Sequence, residues 1–144
     1  MPELPEVEVL VRHLRPLLTG KTIRAVTVRR ERVIRPTSVL KLKRLLRGAK
    51  FVELSRRGKF LLFQLCHPQR KTPFTLVGHL GMTGRMFLLR PGEPLPKHAA
   101  VVLELNGGRF VYEDQRYFGR LTLDARSVAR MGPEPLSQDF TPAK

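Results

Sequence analysis

From residue 50 onward the hydrophobic pattern alternates. Segments 50–56, 59–65, 74–79, 85–89, 99–105, 109–113 and 121–123 are short, β-rich and of period two, and turn formers separate them. That period puts alternate side chains on one face of a strand. Gaps this short join antiparallel neighbours, because a parallel pair needs a crossover of a dozen or more residues. Asn106-Gly107 is a strong hairpin signal, since both residues tolerate positive φ. Arg57-Gly58 reads as another hairpin, and 90–97, RPGEPLPK, as a Pro/Gly loop.

The first third of the chain follows a different rhythm. Over 5–18, Val7, Leu10, Val11, Leu14, Leu17 and Leu18 recur at helical spacing and form one stripe. Pro5 suits a first helical turn, and Thr19-Gly20 a stop. Pro16 is a candidate kink or early end. Residues 22–28 read as a strand. Residues 38–47, with Val39, Leu42, Leu45 and Leu46 at helical spacing before Gly48, read as a second, short helix. The expected fold class is therefore α+β: a mostly antiparallel two-sheet β-sandwich with an N-terminal helix against one side. The tail from Gly132 lacks periodicity and reads as a linker.

At 144 residues the chain is long enough for one domain with a real core. No apolar run approaches the ~20 residues of a membrane span. Acidic residues stand where a signal peptide has its basic segment. A single cysteine, Cys66, excludes an internal disulfide and fits a reducing cytoplasm. With no CxxC and no HxxxH, the sequence offers no zinc site, and no metal or other cofactor is expected in this chain. Charge narrows the partners. Lys and Arg number 27 against 12 acids, a net charge of +15, and the pI is about 11.3. Such a balance in one domain is the footprint of a nucleic-acid binder. An anionic membrane is disfavoured, because no basic amphipathic helix or lipidation site accompanies the charge.

Against that background the opening MPELPEVE is unexpected, with Glu3, Glu6 and Glu8 in eight residues. If Met1 is removed, Pro2 presents a secondary amine. An α-amino group has a reference pKa of ~7.7–8.0, so part of it is a neutral nucleophile at pH 7. Condensed with an aldehyde-like carbon, it gives an iminium, an electron sink for elimination next door. Glu3 is then a candidate general acid for a sugar ring oxygen or leaving group. Glu6 either holds the amine or serves the helix N-terminus, and helix charge preference alone would account for all three glutamates.

The octet is one of six motifs, in order, that resemble those of formamidopyrimidine-DNA glycosylases, within the wider family that includes endonuclease VIII. RRGKFL (56–61) resembles the catalytic-lysine hairpin and GHLGMTGR (78–85) the DNA-probing loop. PKHAAVVLEL (96–105) resembles the strand that opens with a DNA-contacting histidine, YEDQRYFGRL (112–121) the wedge loop, and MGPEPL (131–136) the stretch closing the N-terminal domain. The resemblance implies a nucleophile at Pro2, a proton donor at Glu3 and a supporting carboxylate at Glu6. Lys59 would meet phosphate and assist β-elimination, and His79 and His98 would touch phosphate. Met82, Arg116 and Phe118 would fill the gap left by an extruded base. The cluster Arg56-Arg57-Gly58-Lys59 would add counterion release.

Two departures stand out. The family's wedge loop usually reads Asp-Pro-Arg-Arg-Phe-Gly, whereas here Asp114 is followed by Gln115, Arg116, Tyr117, Phe118 and Gly119. His98 is followed by two alanines where an acidic residue is common. The resemblance places the N-terminal catalytic domain at 1–131 and the start of a linker at 132–144. The family's helix–two-turns–helix and zinc finger would follow. The implied function is base excision repair by a bifunctional glycosylase and AP lyase, which removes oxidised purines from double-stranded DNA through a Schiff base at Pro2. The alternatives are a non-catalytic DNA-binding module, or half of a split glycosylase that needs a C-terminal partner in trans.

Overall fold

A computed structural model describes residues 4–123, with Leu4 described by its backbone alone. Pro2, Glu3, the stretch 131–136 and the boundary read at 131/132 lie outside the described residues. Helix α1 (Leu4–Leu18) buries Val7, Val11, Leu14 and Leu18. Leu10 is partly buried, while Leu17, expected in the stripe, is exposed at the margin. Pro16 neither ends the helix early nor interrupts its assignment: it lies within the last turn. Thr19 closes the helix, its N–H and hydroxyl both donating to the Arg15 carbonyl at 3.0 and 2.7 Å.

Strand β1 (Ile23–Val28) leads through a 3-10 turn (Glu31–Ile34) to α2 (Val39–Leu46). Ser38 caps α2, its Oγ accepting from the Lys41 N–H at 3.1 Å, as capping serines do. Seven strands follow: β2 (Lys50–Arg57), β3 (Phe60–Cys66), β4 (Phe74–His79), β5 (Gly84–Leu89), β6 (Ala99–Leu105), β7 (Gly108–Asp114) and β8 (Arg120–Thr122). They form two antiparallel sheets, ordered β1-β6-β7-β5 and β2-β3-β4-β8.

The sheets face each other across one core. Phe63 of β3 meets Phe110 of β7 edge to face at 5.7 Å, and Phe51 of β2 packs on Phe63. Gly78 of β4 allows Met86 of β5 to approach, since a Cβ there would lie 2.7 Å from the Met86 methyl. Helix α1 packs on β2 and β3 and reaches β5, and α2 packs on β1. The sandwich read from the alternating segments is thus the observed architecture. No helix among the described residues is long and apolar enough to cross a membrane.

Two turns differ in detail from the expectation. At Asn106-Gly107 positive φ falls on Gly107 and not on Asn106, whose side chain instead accepts the Thr22 N–H at 2.8 Å. In the β2–β3 hairpin the central residues are Gly58, with φ +60°, and Lys59, so Lys59 stands in the turn and not in the strand.

Candidate nucleic-acid interface

The site is organised by a carboxylate that the sequence reading passed over. Asp114 ends β7 and is fully buried. Its Oδ1 accepts the Thr83 hydroxyl at 2.6 Å and the Arg116 N–H at 3.1 Å. Its Oδ2 accepts the Tyr112 hydroxyl at 2.7 Å and the Gly119 N–H at 2.9 Å. Burial acts to raise the pKa of this carboxyl, but the hydrogen bonds from Thr83, Gly119, Tyr112 and Arg116 outweigh it and hold the group below its usual range. The Tyr112 phenol is pushed up by burial, then by its bond to Asp114 and by that charge. One anion therefore pins two loops, 80–83 through Thr83 and 115–119 through Arg116 and Gly119.

The loops touch each other. A Cβ on Gly81, itself at φ +61°, would lie 2.8 Å from the Gly119 nitrogen. A Cβ on Gly119 would overlap the Tyr112 hydroxyl and the His79 carbonyl. Glycine is required at both positions because backbone meets backbone. From this base Met82 and Phe118 project into solvent, 55% and 48% exposed, and Arg116 is exposed beside them. Large exposed apolar side chains held on buried polar anchors are the unusual feature here. A cleft of about 460 Å³ opens at Met82, lined by Glu6, Met82, Thr83, Gly84, Arg85, Glu113 and Gln115. Glu6, in the first turn of α1, is thus brought to the same cleft as Met82 and the start of the 115–119 loop.

His79 and Lys59 form the flank. Phe60 pairs with His79 across β3 and β4, and their rings lie 5.2 Å apart. This places the exposed Lys59 turn beside the half-buried imidazole. Burial first, then the charges of Lys59 and Arg120, lower the His79 pKa. Nδ1 accepts the Gly81 N–H at 3.1 Å, so a neutral ring carries its proton on Nε2, a donor suited to a phosphate oxygen. The expected cluster of cations beside Lys59 is a correction. Arg57 is buried, and Arg56 turns toward α1, where its Nε donates to Glu8 at 2.8 Å. Glu8 also takes Arg12 at 3.1 Å, and the bonds from Arg56 and then Arg12 lower its pKa. The third opening glutamate is therefore a tether between α1 and β2. Arg56 also donates to the Gly58 carbonyl at 3.0 Å, which extends the tether to the Lys59 turn.

Segment 29–35 belongs to this surface, although the sequence reading gave it no role. Arg30 stands over the Tyr117 ring at 5.3 Å and Arg32 over the Phe118 ring at 5.4 Å. His98 meets Tyr117 edge to face at 6.4 Å. The Arg120 guanidinium donates to the carbonyl of Gly119 at 2.7 Å, with longer bonds to those of Phe118 and Tyr117. The density of arginine at 29, 30, 32 and 35 was the available signal. Cys66 is the chain's one cysteine, and among the described residues no three potential metal ligands converge.

The model of the formamidopyrimidine-DNA glycosylase N-terminal domain matches residues 1–121. Among curated proteins, the formamidopyrimidine-DNA glycosylase of Symbiobacterium thermophilum is 41% identical over 150 residues, covering 99% of this chain and 47% of that protein. That of Carboxydothermus hydrogenoformans is 39% identical over 142 residues, covering 99% and 51%. The chain spans about half the length of the curated relatives it matches. Among solved structures, Lactococcus lactis Fpg in complex with DNA containing N7-benzyl-Fapy-dG superposes with a TM-score of 0.80 at 32% identity, over 90% of this chain and 46% of that one. The same protein in complex with DNA containing an abasic site gives 0.79 at 31%, over 90% and 47%.

Proposed function

The chain belongs to the formamidopyrimidine-DNA glycosylase family through its N-terminal domain, and on that premise we propose that it works in base excision repair, removing an oxidised purine from double-stranded DNA and cutting the strand at the abasic site. The observation that carries the reading is an open cleft bearing Glu6 and Met82, with Met82 and Phe118 exposed on two loops that Asp114 ties together. C1′ is shielded inside a duplex, so the base must leave the stack first. That costs a few kcal/mol, which an inserted apolar side chain offsets. Met82 and Phe118, with Arg116, suit the vacated space, and the cleft at Met82 suits the extruded nucleotide.

In this reading the Pro2 nitrogen attacks C1′ as the bond from C1′ to the base breaks, and the base leaves with a proton. Glu3 protonates the ring oxygen as the sugar opens, giving a cationic iminium. Loss of a C2′ proton then expels the 3′ phosphate, completing β-elimination. Glu6 supports the amine from the first turn of α1. Lys59 and the Nε2–H of His79 hold the adjacent phosphate, and Lys59 assists the elimination. His98 meets a second phosphate. The amine supplies the electron sink, so the proposal assigns this chain no cofactor. The half of its relatives that this chain does not span would complete the grip on DNA, joined to it or added in trans. The reaction belongs in the cytoplasm, where DNA is accessible and the exposed thiol of Cys66 stays reduced.

Borohydride reduction of the protein on an abasic-site duplex tests the proposal. A covalent adduct is expected, reduced sharply in Pro2→Gly. Glu3→Gln should block base excision while retaining part of the scission at a preformed abasic site. No adduct, or an intact mass showing Met1 retained, would leave a DNA-binding module without turnover.

A further inference from the structure

Loop 115–119 contains a residue that the chemistry above does not use. Tyr117 has φ +56°, and among the described residues it is the one non-glycine residue with positive φ. That region is disfavoured for a bulky side chain, so the surroundings must hold it there. They do so from three directions. Arg30 lies over the ring, His98 packs against it, and the ring rests on the main hydrophobic core. Arg120 gathers the carbonyls of residues 117–119, and Asp114 takes the N–H groups of Arg116 and Gly119. The left-handed turn at Tyr117 sends adjacent side chains apart: Tyr117 inward, Phe118 outward and 48% exposed.

We propose that Tyr117 is a positioning residue for the DNA wedge: clamped between Arg30 and His98, its ring sets the turn that aims Phe118 at the base stack. An aromatic ring does this here where the family's usual loop carries a second arginine. The clamp also joins the wedge to Arg30 and His98, so a phosphate that draws on either of them acts on Phe118 through one ring. The inference rests on the DNA-processing reading above. Loss of one cation–π and one ring–ring contact should shift the loop's equilibrium by roughly 5- to 50-fold.

The test is fluorescence of 2-aminopurine placed beside a tetrahydrofuran abasic analogue in a duplex, which rises when a side chain enters the stack. The wild-type chain should give a rise on this duplex and little on an undamaged one. Tyr117→Ala should lose most of the rise at protein concentrations that saturate binding. Tyr117→Phe, which keeps the stacked ring, should restore it. Arg30→Ala, which leaves the loop sequence intact, should reproduce the alanine loss. A full rise in Tyr117→Ala or in Arg30→Ala, or a Tyr117→Phe variant no better than alanine, would overturn the role of the clamp while leaving the wedge reading in place. A wild-type chain that binds the duplex without any rise would overturn both.

Discussion

Asp114→Asn is the sharpest perturbation the structure offers. The carboxylate accepts four hydrogen bonds, two per oxygen, from Thr83, Arg116, Tyr112 and Gly119. An asparagine has the same shape but a single acceptor oxygen. Whichever way the amide turns, two donors face an NH2 group and lose their partner in a fully buried site. Hydrogen bonds to a charged group are worth ~1.5–3 kcal/mol each, and a buried donor left unmade adds its desolvation cost. Two such losses, partly relaxed by loop movement, give about 3–4 kcal/mol. For a domain of this size that lowers Tm by roughly 10–15 °C. Thr83→Val removes one bond only and should cost about half as much. Thermal and urea unfolding at pH 7 measure both. The sign of the pH dependence is also defined. The pKa of Asp114 is depressed below its ordinary 3.8, so its stabilisation is complete above that value and is lost as pH falls through the lower folded value. The gap between wild type and Asp114→Asn should therefore narrow only in strong acid. An Asp114→Asn variant within about 1 kcal/mol of wild type at pH 7 would refute the idea that this carboxylate holds both loops.

Gly119→Ala forces a methyl group against the Tyr112 hydroxyl and the His79 carbonyl; it should cost about 3 kcal/mol, and separate the 80–83 and 115–119 loops in amide exchange. His79 should titrate below its ordinary 6.5 in the free chain, because burial and the charges of Lys59 and Arg120 oppose its protonation. Folding then favours the neutral ring, so this contribution is present above pH 6.5 and is lost as pH falls, which NMR titration of the imidazole follows. Binding DNA phosphate should raise that pKa. Lys59→Ala should weaken duplex binding and flatten the plot of log affinity against log salt by roughly 0.9 per phosphate contact removed.

The fold was largely readable in advance because its signals are local. Alternation from residue 50 named every strand of the second half, and the stripe Val7, Val11, Leu14 and Leu18 named α1. Errors fell at margins. Leu17 sits at the edge of a stripe whose width is set by the sheets it meets. Lys59 moved from strand to turn because β2 runs on through Arg57, which pairs with Phe60, so the two-residue turn begins at Gly58, the residue with positive φ. Among the candidate site residues, Glu6 and Met82 line one cleft, and Arg116 and Phe118 are exposed on the loop that Asp114 ties to Thr83, while Arg57 is buried and Arg56 turns to Glu8 of α1.

Composition and periodicity were sufficient for a basic α+β sandwich opening on an amphipathic helix, because burial pattern and charge are additive along a chain. Which groups would meet was a different kind of fact. Asp114 joins Thr83 across 31 positions, Glu8 takes Arg56 across 48, and Arg30 finds Tyr117 on a distant loop. Such contacts leave no periodic trace, since either partner looks like an ordinary solvated polar residue until tertiary packing brings it to the other.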